Sequence, residues 1–309
     1  MVLRNIYVGV PARLASTRLP RKLLADIAGQ TIVEHVCDRV RDLCDRLQKR
    51  LSPEFGPSFG VLPCVVTDDD EIESRALAKG VGTFRSQQSH NSGTSRIREW
   101  VQATVAPEGL RESLVVNVQG DEPFLRVEDV VQLIVDFVSP TGSEAVRQAP
   151  VATLVHRNTS WSAFMDPSCV KVVRGSRGFA LYFSRAPVPW PRSLLGTEPI
   201  LDRNLGLSGV LPAGWSFWQH IGIYVYRGWY LLHYPEETLV AKTQTDQGCD
   251  DIEGLEQLAV LAEGQSIWTR AGSAPGMGID TEGDLAYARQ HHKTLLQAAQ
   301  SAAGQGLGE

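Results

Sequence analysis

Three short apolar runs, IYVGV (Ile6–Val10), CVVTD (Cys64–Asp68) and LVVNV (Leu114–Val118), each give way to a polar loop and then to a stretch with helical spacing. Runs of this length bounded by loops are strand-like. Their alternation with helices predicts an α/β fold, a parallel sheet covered by helices on both faces. Ile32, Val36, Val40 and Leu43 recur at helical spacing and predict a helix from about Thr31 to Lys49. The Pro- and Gly-rich SPEFGPSFG (Ser52–Gly60) reads as a loop. Further helices are expected from near Asp70, with Ile72, Ala76 and Leu77 turned inward, and around Glu128–Val138. Ligands of such sheets bind beyond the carboxyl ends of the strands. The polar loops after the three runs lie there.

The pattern changes from Val151. VATLVH, CVKVV and FALYFSR are strand-like, with GSRG (Gly175–Gly178) as a hairpin turn. A Pro/Gly/Leu stretch from Pro191 to Gly214 precedes the strand HIGIYVYR. A helix over Asp250–Glu263, another strand and a last helix from about Glu282 follow. Residues 1–292 read as one domain made of two halves, 1–150 and 151–292, the second a lobe wrapped onto the first. Residues 293–309 form a tail expected to fray.

Composition narrows the function classes. A net charge of −5 over 309 residues disfavours a broad basic footprint for nucleic acid, while leaving room for a local basic pocket. The five cysteines are scattered and form no CxxC pair, which argues against disulfides and structural zinc. No apolar run is long enough for a membrane span and no signal-peptide pattern opens the chain, so a cytoplasmic protein is expected.

Arg13, Arg18, Arg21 and Lys22 crowd the loop after the first strand. Such crowding is costly unless an anion sits among the cations, and a triphosphate would supply one. A solvated surface loop is the other reading. Ser92 or Thr94 could cap a helix beginning in GTSRIREWV, and Asp280 could cap the last helix. By spacing alone His220 and Tyr224 are half-buried sheet residues, and Glu256 and Gln257 lie on a solvated helix face.

These segments also carry a resemblance. PARLASTRLPRKLL resembles the PARxxSxRLPxKxL signature of the CMP-Kdo synthetase family, Kdo being 3-deoxy-manno-octulosonate. SHNSGTSR is similar to that family's HxSGTxR, and NVQGDEP matches its counterpart throughout. FALYFSRAPVPW, QHIGIYVYR, DDIEGLEQLAVL and PGMGIDTEGDL resemble YFSRxxIPW, HxGIYxY, ExxExLEQLRxL and PGxGxDTxxDL. The resemblance runs from about Ile6 to Arg289.

It implies a Rossmann-like nucleotidyltransferase fold with a mixed, mainly parallel sheet and a smaller sugar-binding and dimerisation lobe. It implies transfer of CMP from CTP to Kdo by a cytoplasmic homodimer serving lipopolysaccharide or capsule synthesis. CTP would be held by Pro11, Ala12, Arg13, Arg18, Lys22, Ser92, Gly93, Thr94 and Gln119, with Arg13, Lys22 and Asp121 catalytic. Arg185 would meet the sugar carboxylate, and His220, Tyr224, Glu256 and Gln257 the hydroxyls. Asp121 and Asp280 would ligate Mg²⁺.

Four departures stand out. Ser95 replaces an acidic residue, Ala259 replaces an arginine, Asp250 replaces a glutamate, and the Pro191–Gly214 stretch is longer than the family's. They keep two alternatives open: a cytidylyltransferase for an amino-Kdo or sialic-acid-like sugar, and a non-catalytic nucleotide-binding homologue. A dinucleotide oxidoreductase fits poorly, because no GxGxxG follows the first strand.

Overall fold

The computed structural model describes residues 3–14, 16, 18–192, 209–234, 252–274 and 276–300. The chain divides into two units, one of Met1–Ala152, Gly222–Tyr234 and Gly276–Glu309, the other of Thr153–Ile221 and Pro235–Pro275.

The first unit contains the expected alternation. β1 (Asn5–Ala12) runs into the cationic loop, which ends in a small antiparallel hairpin of β2 (Asp26–Ile27) and β3 (Gln30–Thr31). Helix α1 (Ile32–Phe55) starts on a capping box, in which Thr31 and Glu34 satisfy each other's backbone donors. Its Ile32, Val36, Val40, Leu43 and Leu47 are buried, as the periodicity predicts. The helix continues past Lys49 into the stretch read as a loop. Pro53 sits in the last turn, where its missing N–H forfeits one helical bond, and the helix stops at Gly56, whose N–H reaches the Ser52 carbonyl.

β4 (Gly60–Thr67) follows, parallel to β1, and α2 (Asp70–Ala78) leads to β5 (Gly82–Arg85), parallel to β4. α3 (Gly93–Thr104) and α4 (Pro107–Arg111) precede β6 (Ser113–Asn117), which is parallel to β1 on its other side. Leu114, Val115 and Val116 are fully buried, as a central strand covered on both faces requires. α5 (Val127–Val138) packs against α1. The last helix spans Glu282–Gln300, so residues 293–300 are helical where fraying is expected.

The second unit is antiparallel in character. It takes most of β7 (Val151–Asn158) and holds the hairpin of β8 (Lys171–Arg174) and β9 (Ala180–Ser184), whose turn is the expected Gly175–Gly178. The first residues of β10 (Phe217–Arg227) pair antiparallel with β8, and β11 (Ile267–Ala271) lies beside β7. Trp161, Phe164, Cys169, Leu211 and Phe217 form a local core. The last four residues of β10, Tyr224–Arg227, belong to the first unit and run antiparallel to β6, so the sheet is mixed.

The helix expected over Asp250–Glu263 is not continuous. Gly254 takes a φ of +60°, which interrupts it, and a regular helix resumes only over Gln257–Ala262. Residues 193–208, 249 and 250 lie outside the described residues, and with them most of the long Pro191–Gly214 stretch.

Candidate functional site

The loops after β1 and β6, the start of α3 and the segment before the last helix line one pocket of about 250 Å³, all within the first unit. The β1 and β6 loops meet closely. A Cβ on Gly120 would stand 2.8 Å from the Pro11 carbonyl oxygen, so a side chain there would push the loops apart. Asp121 is then delivered next to Lys22, and the Ile279 N–H donates to the Asp121 carbonyl at 2.9 Å, bringing Asp280 alongside.

Lys22 Nζ donates to Asp121 Oδ2 at 2.6 Å and to Asp280 Oδ1 at 2.9 Å. Arg18 Nη2 reaches the same Asp280 oxygen at 3.0 Å. Burial alone would push the Lys22 ammonium down, but the two carboxylates outweigh it and leave it raised. Burial would likewise raise Asp280, and Lys22 and Arg18 reverse this and lower it. The adjacent Glu122 lacks such a cation. Its Oε2 is buried without a hydrogen-bond partner among the described residues, and burial, then Asp121 and Asp280, push its carboxyl up to about 7.

Of the clustered cations, Arg13, Arg18 and Lys22 line the pocket and Arg21 does not. Arg21 pairs instead with Glu71 on α2 at 2.5 Å, from a left-handed backbone with φ of +55°. The asymmetry distinguishes the two readings of this loop. A merely solvated loop has no reason to turn three cations into one concavity while an ion pair holds the fourth outside.

Pro11, Ser92, Gly93, Gln119, Asp121 and Asp280 also line the pocket. Ser92 caps α3 by accepting from the Ser95 N–H at 3.1 Å, and the Ser95 side chain returns the bond to the Ser92 backbone. A serine therefore keeps the capping box that the family's acidic residue would make. Two predicted nucleotide residues do not line the pocket. Ala12 is buried at the end of β1, and the buried Thr94 hydroxyl is engaged by Asn117 Nδ2 at 3.2 Å and by the Tyr226 hydroxyl at 3.0 Å. Asp280 is spared from helix capping, because Thr281 and Asp284 cap the last helix reciprocally.

The sequence reading left several pocket residues without a role: Ser16, His90, Asn91 and Arg96. Arg96 is the informative one. It is 5% exposed, pairs with Asp68 through Nη2 at 3.2 Å, and keeps a buried Nη1 with no partner among the described residues. It is the terminal arginine of SHNSGTSR, so the motif itself was the available signal.

The predicted sugar residues are distributed over both units: Tyr224 belongs to the first, and Arg185, His220, Glu256 and Gln257 to the second. Arg185 donates to the carbonyls of Glu253, Pro167 and Gly254, at 2.7, 3.0 and 3.3 Å. Of a guanidinium's five N–H groups, three are thus engaged by main chain. His220 Nε2 lies 3.0 Å from Thr153 Oγ1, its ring stands edge-on to Phe183, and burial pushes its imidazole down to about 3. Tyr224 is buried and stacks on Tyr226. Glu256 immediately precedes the Gln257–Ala262 helix, and Gln257 is buried rather than on a solvated face.

Asp121 and Asp280 suit Mg²⁺. Both are hard oxygen donors already converging on one cationic centre, the Lys22 ammonium. Mg²⁺ characteristically takes one or two carboxylates and completes its shell with substrate phosphates and water. Two converging carboxylates are the protein's share in that mode.

Comparison with known proteins agrees with this geometry. The cytidylyltransferase family matches residues 8–267. A 3-deoxy-manno-octulosonate cytidylyltransferase of Cellvibrio japonicus (strain Ueda107) is 36% identical over 301 residues, covering 96% of this chain and 100% of that protein. Its namesake from Acidovorax sp. (strain JS42) is 38% identical over 292 residues, covering 93% and 95%. The solved structure of a CMP:2-keto-3-deoxy-manno-octonic acid synthetase complexed with CTP aligns with a TM-score of 0.69 at 30% identity, covering 94% of this chain and 99% of that one.

Proposed function

The chain belongs to the CMP-Kdo synthetase branch of the cytidylyltransferase family, and we propose that it transfers CMP from CTP to the anomeric hydroxyl of Kdo, giving CMP-Kdo and pyrophosphate. The observation that carries the reaction is the convergence of Arg13, Arg18 and Lys22 with Asp121 and Asp280 in one pocket walled by Ser92 and Gly93.

The anomeric oxygen attacks the α-phosphorus as the bond to the β-phosphate oxygen breaks, and the hydroxyl proton passes to solvent. Arg13 and Arg18 bind the triphosphate and stabilise charge gathering on the departing pyrophosphate. Lys22 turns from the carboxylates to the phosphoryl oxygens. Gln119 and the Ser92–Gly93 wall orient the nucleoside. Asp121 and Asp280 would hold Mg²⁺, which when bound would neutralise phosphate charge and ease approach of the sugar carboxylate. Catalysis is then positioning and electrostatics, with no protein nucleophile.

The two N–H groups left on Arg185 suit the sugar carboxylate, and neutral His220 with Tyr224, Glu256 and Gln257 suits hydroxyls. A related sugar acid is the second reading, favoured by the small, buried Ala259 in place of an arginine. A homodimer is supported by Leu181, large and exposed on β9, a strand that among the described residues pairs with β8 alone. The same reading has the enzyme working in the cytoplasm, ahead of lipopolysaccharide or capsule assembly.

The test is pyrophosphate release with CTP, Mg²⁺ and Kdo, against controls lacking sugar or carrying UTP. Release that requires both CTP and Kdo is expected. Release with an amino-Kdo or a sialic acid but not with Kdo moves the specificity, and silence with every acceptor defeats the enzymatic reading.

A further inference from the structure

His90, Asn91, Ser92 and Gly93 line the pocket, yet residues 86–92 form neither strand nor helix. The ends of this wall are tied by backbone bonds, the Ser86 N–H to the Thr67 carbonyl at 2.9 Å and the Arg96 N–H to the Ser92 carbonyl at 3.4 Å, and side chains add to these. One carboxylate gathers it. Glu99, on α3, accepts from the Ser86 hydroxyl at 2.5 Å, from the Gln87 N–H at 2.9 Å and from His90 Nε2 at 2.7 Å. His90 Nε2 also lies 3.1 Å from Ser86 Oγ, which closes a small ring of contacts. The His90 and Glu99 side chains are 6% and 11% exposed, so little water competes for these bonds. Burial would push the Glu99 carboxyl up, and its donors outweigh that and lower it, so it is an anion accepting charge-assisted bonds.

Arg13, Arg18 and Lys22 suit the anionic end of a ligand, and the imidazole, amide and hydroxyl groups of 90–92, which can donate and accept hydrogen bonds, suit its nucleoside end. We propose that Glu99 is a positioning residue for the nucleoside: by fastening Ser86, Gln87 and His90 to α3 it sets the placement of the Asn91–Gly93 wall, and through it affinity for CTP and discrimination against UTP. The inference rests on the reading of this pocket as the CTP site. Glu99 itself touches no pocket space, since it is absent from the lining, and so acts through its neighbours. Small displacements of a positioning wall are costly in binding and rate, and a hydrogen bond to a charged group carries more than a neutral one.

The experiment measures calorimetric CTP and UTP affinity and steady-state kinetics for wild type, Glu99→Ala and Glu99→Gln, each first shown to be folded by its melting transition. Glu99→Ala is expected to weaken CTP binding about tenfold or more. KM for CTP should rise by more than kcat falls, KM for Kdo should stay within about twofold, and the CTP/UTP ratio should shrink. Glu99→Gln, which keeps one acceptor oxygen, should fall between, and it carries the test alone if the alanine variant does not fold. A folded variant with wild-type CTP affinity and selectivity overturns the proposal, as does a variant that loses only thermal stability. Wild-type protein that binds no CTP instead removes the underlying reading of the pocket, a result separate from any effect of the substitutions.

Discussion

Lys22 holds Asp121 at 2.6 Å and, with the same nitrogen, Asp280 at 2.9 Å. One ammonium thus joins three segments remote in sequence: the loop after β1, the turn after β6 and the approach to the last helix. The Lys22 side chain is 13% exposed, so the contact is screened far less than a surface pair.

Replacing Lys22 by Met should therefore lower kcat on the order of 10²- to 10³-fold, the usual consequence of removing one transition-state donor. Asp121→Asn should cost turnover more than it costs CTP affinity, because it leaves Arg13 and Arg18 in place. Turnover of Asp121→Asn within a few-fold of wild type would remove the metal-holding role.

Asp121 Oδ2 and Asp280 Oδ1 face the Lys22 ammonium, so a divalent ion drawn to the same oxygens would compete with it. Mn²⁺ binding, followed by electron paramagnetic resonance, should be weak in nucleotide-free protein and should tighten at least about tenfold when CTP draws Lys22 away; by reciprocity, the metal tightens CTP equally. Lys22→Met should bind Mn²⁺ better than wild type without nucleotide. Equal nucleotide-free affinity in the two proteins would show that Lys22 does not compete for the site.

Gly120→Ala tests the contact between the two loops. The added methyl would meet the Pro11 carbonyl oxygen at 2.8 Å, backbone against backbone, with no rotamer to relieve it. A loss of about 1–3 kcal/mol in urea denaturation is expected, with a fall in kcat beyond what the unfolded fraction explains. Gly82→Ala is the control, since its methyl would find Pro63 oxygen at an ordinary 3.5 Å. Indistinguishable behaviour of the two variants would mean that the approach of the loops is not constrained.

Parts of this were legible without coordinates because they depend on local rules. Strand-length runs between helical periodicities placed β1, β4 and β6, and a loop crowded with cations at a strand end pointed to an anion. What was not legible depends on partners distant in the chain. Arg21 looks equivalent to Arg18 until Glu71 on α2 claims it, and Thr94 looks like a ligand contact until Asn117 and Tyr226 take its hydroxyl. Gly254 and Pro53 show the limit of reading breakers by type: the glycine interrupts a helix and the proline, placed in a last turn, does not. Glu99 has no local signature, because its role is fixed by a loop folding back onto the helix that bears it.

His220 supplies a pH dependence with a definite sign. An unfolded histidine takes its proton near pH 6.5, whereas burial holds the folded ring down to about 3. Between those values the unfolded state binds the proton and the folded state does not, so stability attributable to His220 is complete above pH 6.5 and falls as pH drops toward 3. From pH 8 to pH 5 the loss should be roughly 2 kcal/mol, following 1.36 kcal/mol per pH unit below the unfolded value. Urea denaturation at pH 5, 6, 7 and 8 should show that loss in wild type and a slope flatter by the same amount in His220→Gln, which has no proton to gain. The His220 imidazole resonance, assigned by its absence from the variant, should stay unshifted over the same range. A resonance titrating near pH 6.5 would mean that the ring is solvated in the folded state, and a protonatable ring could no longer be counted as the neutral partner of a sugar hydroxyl.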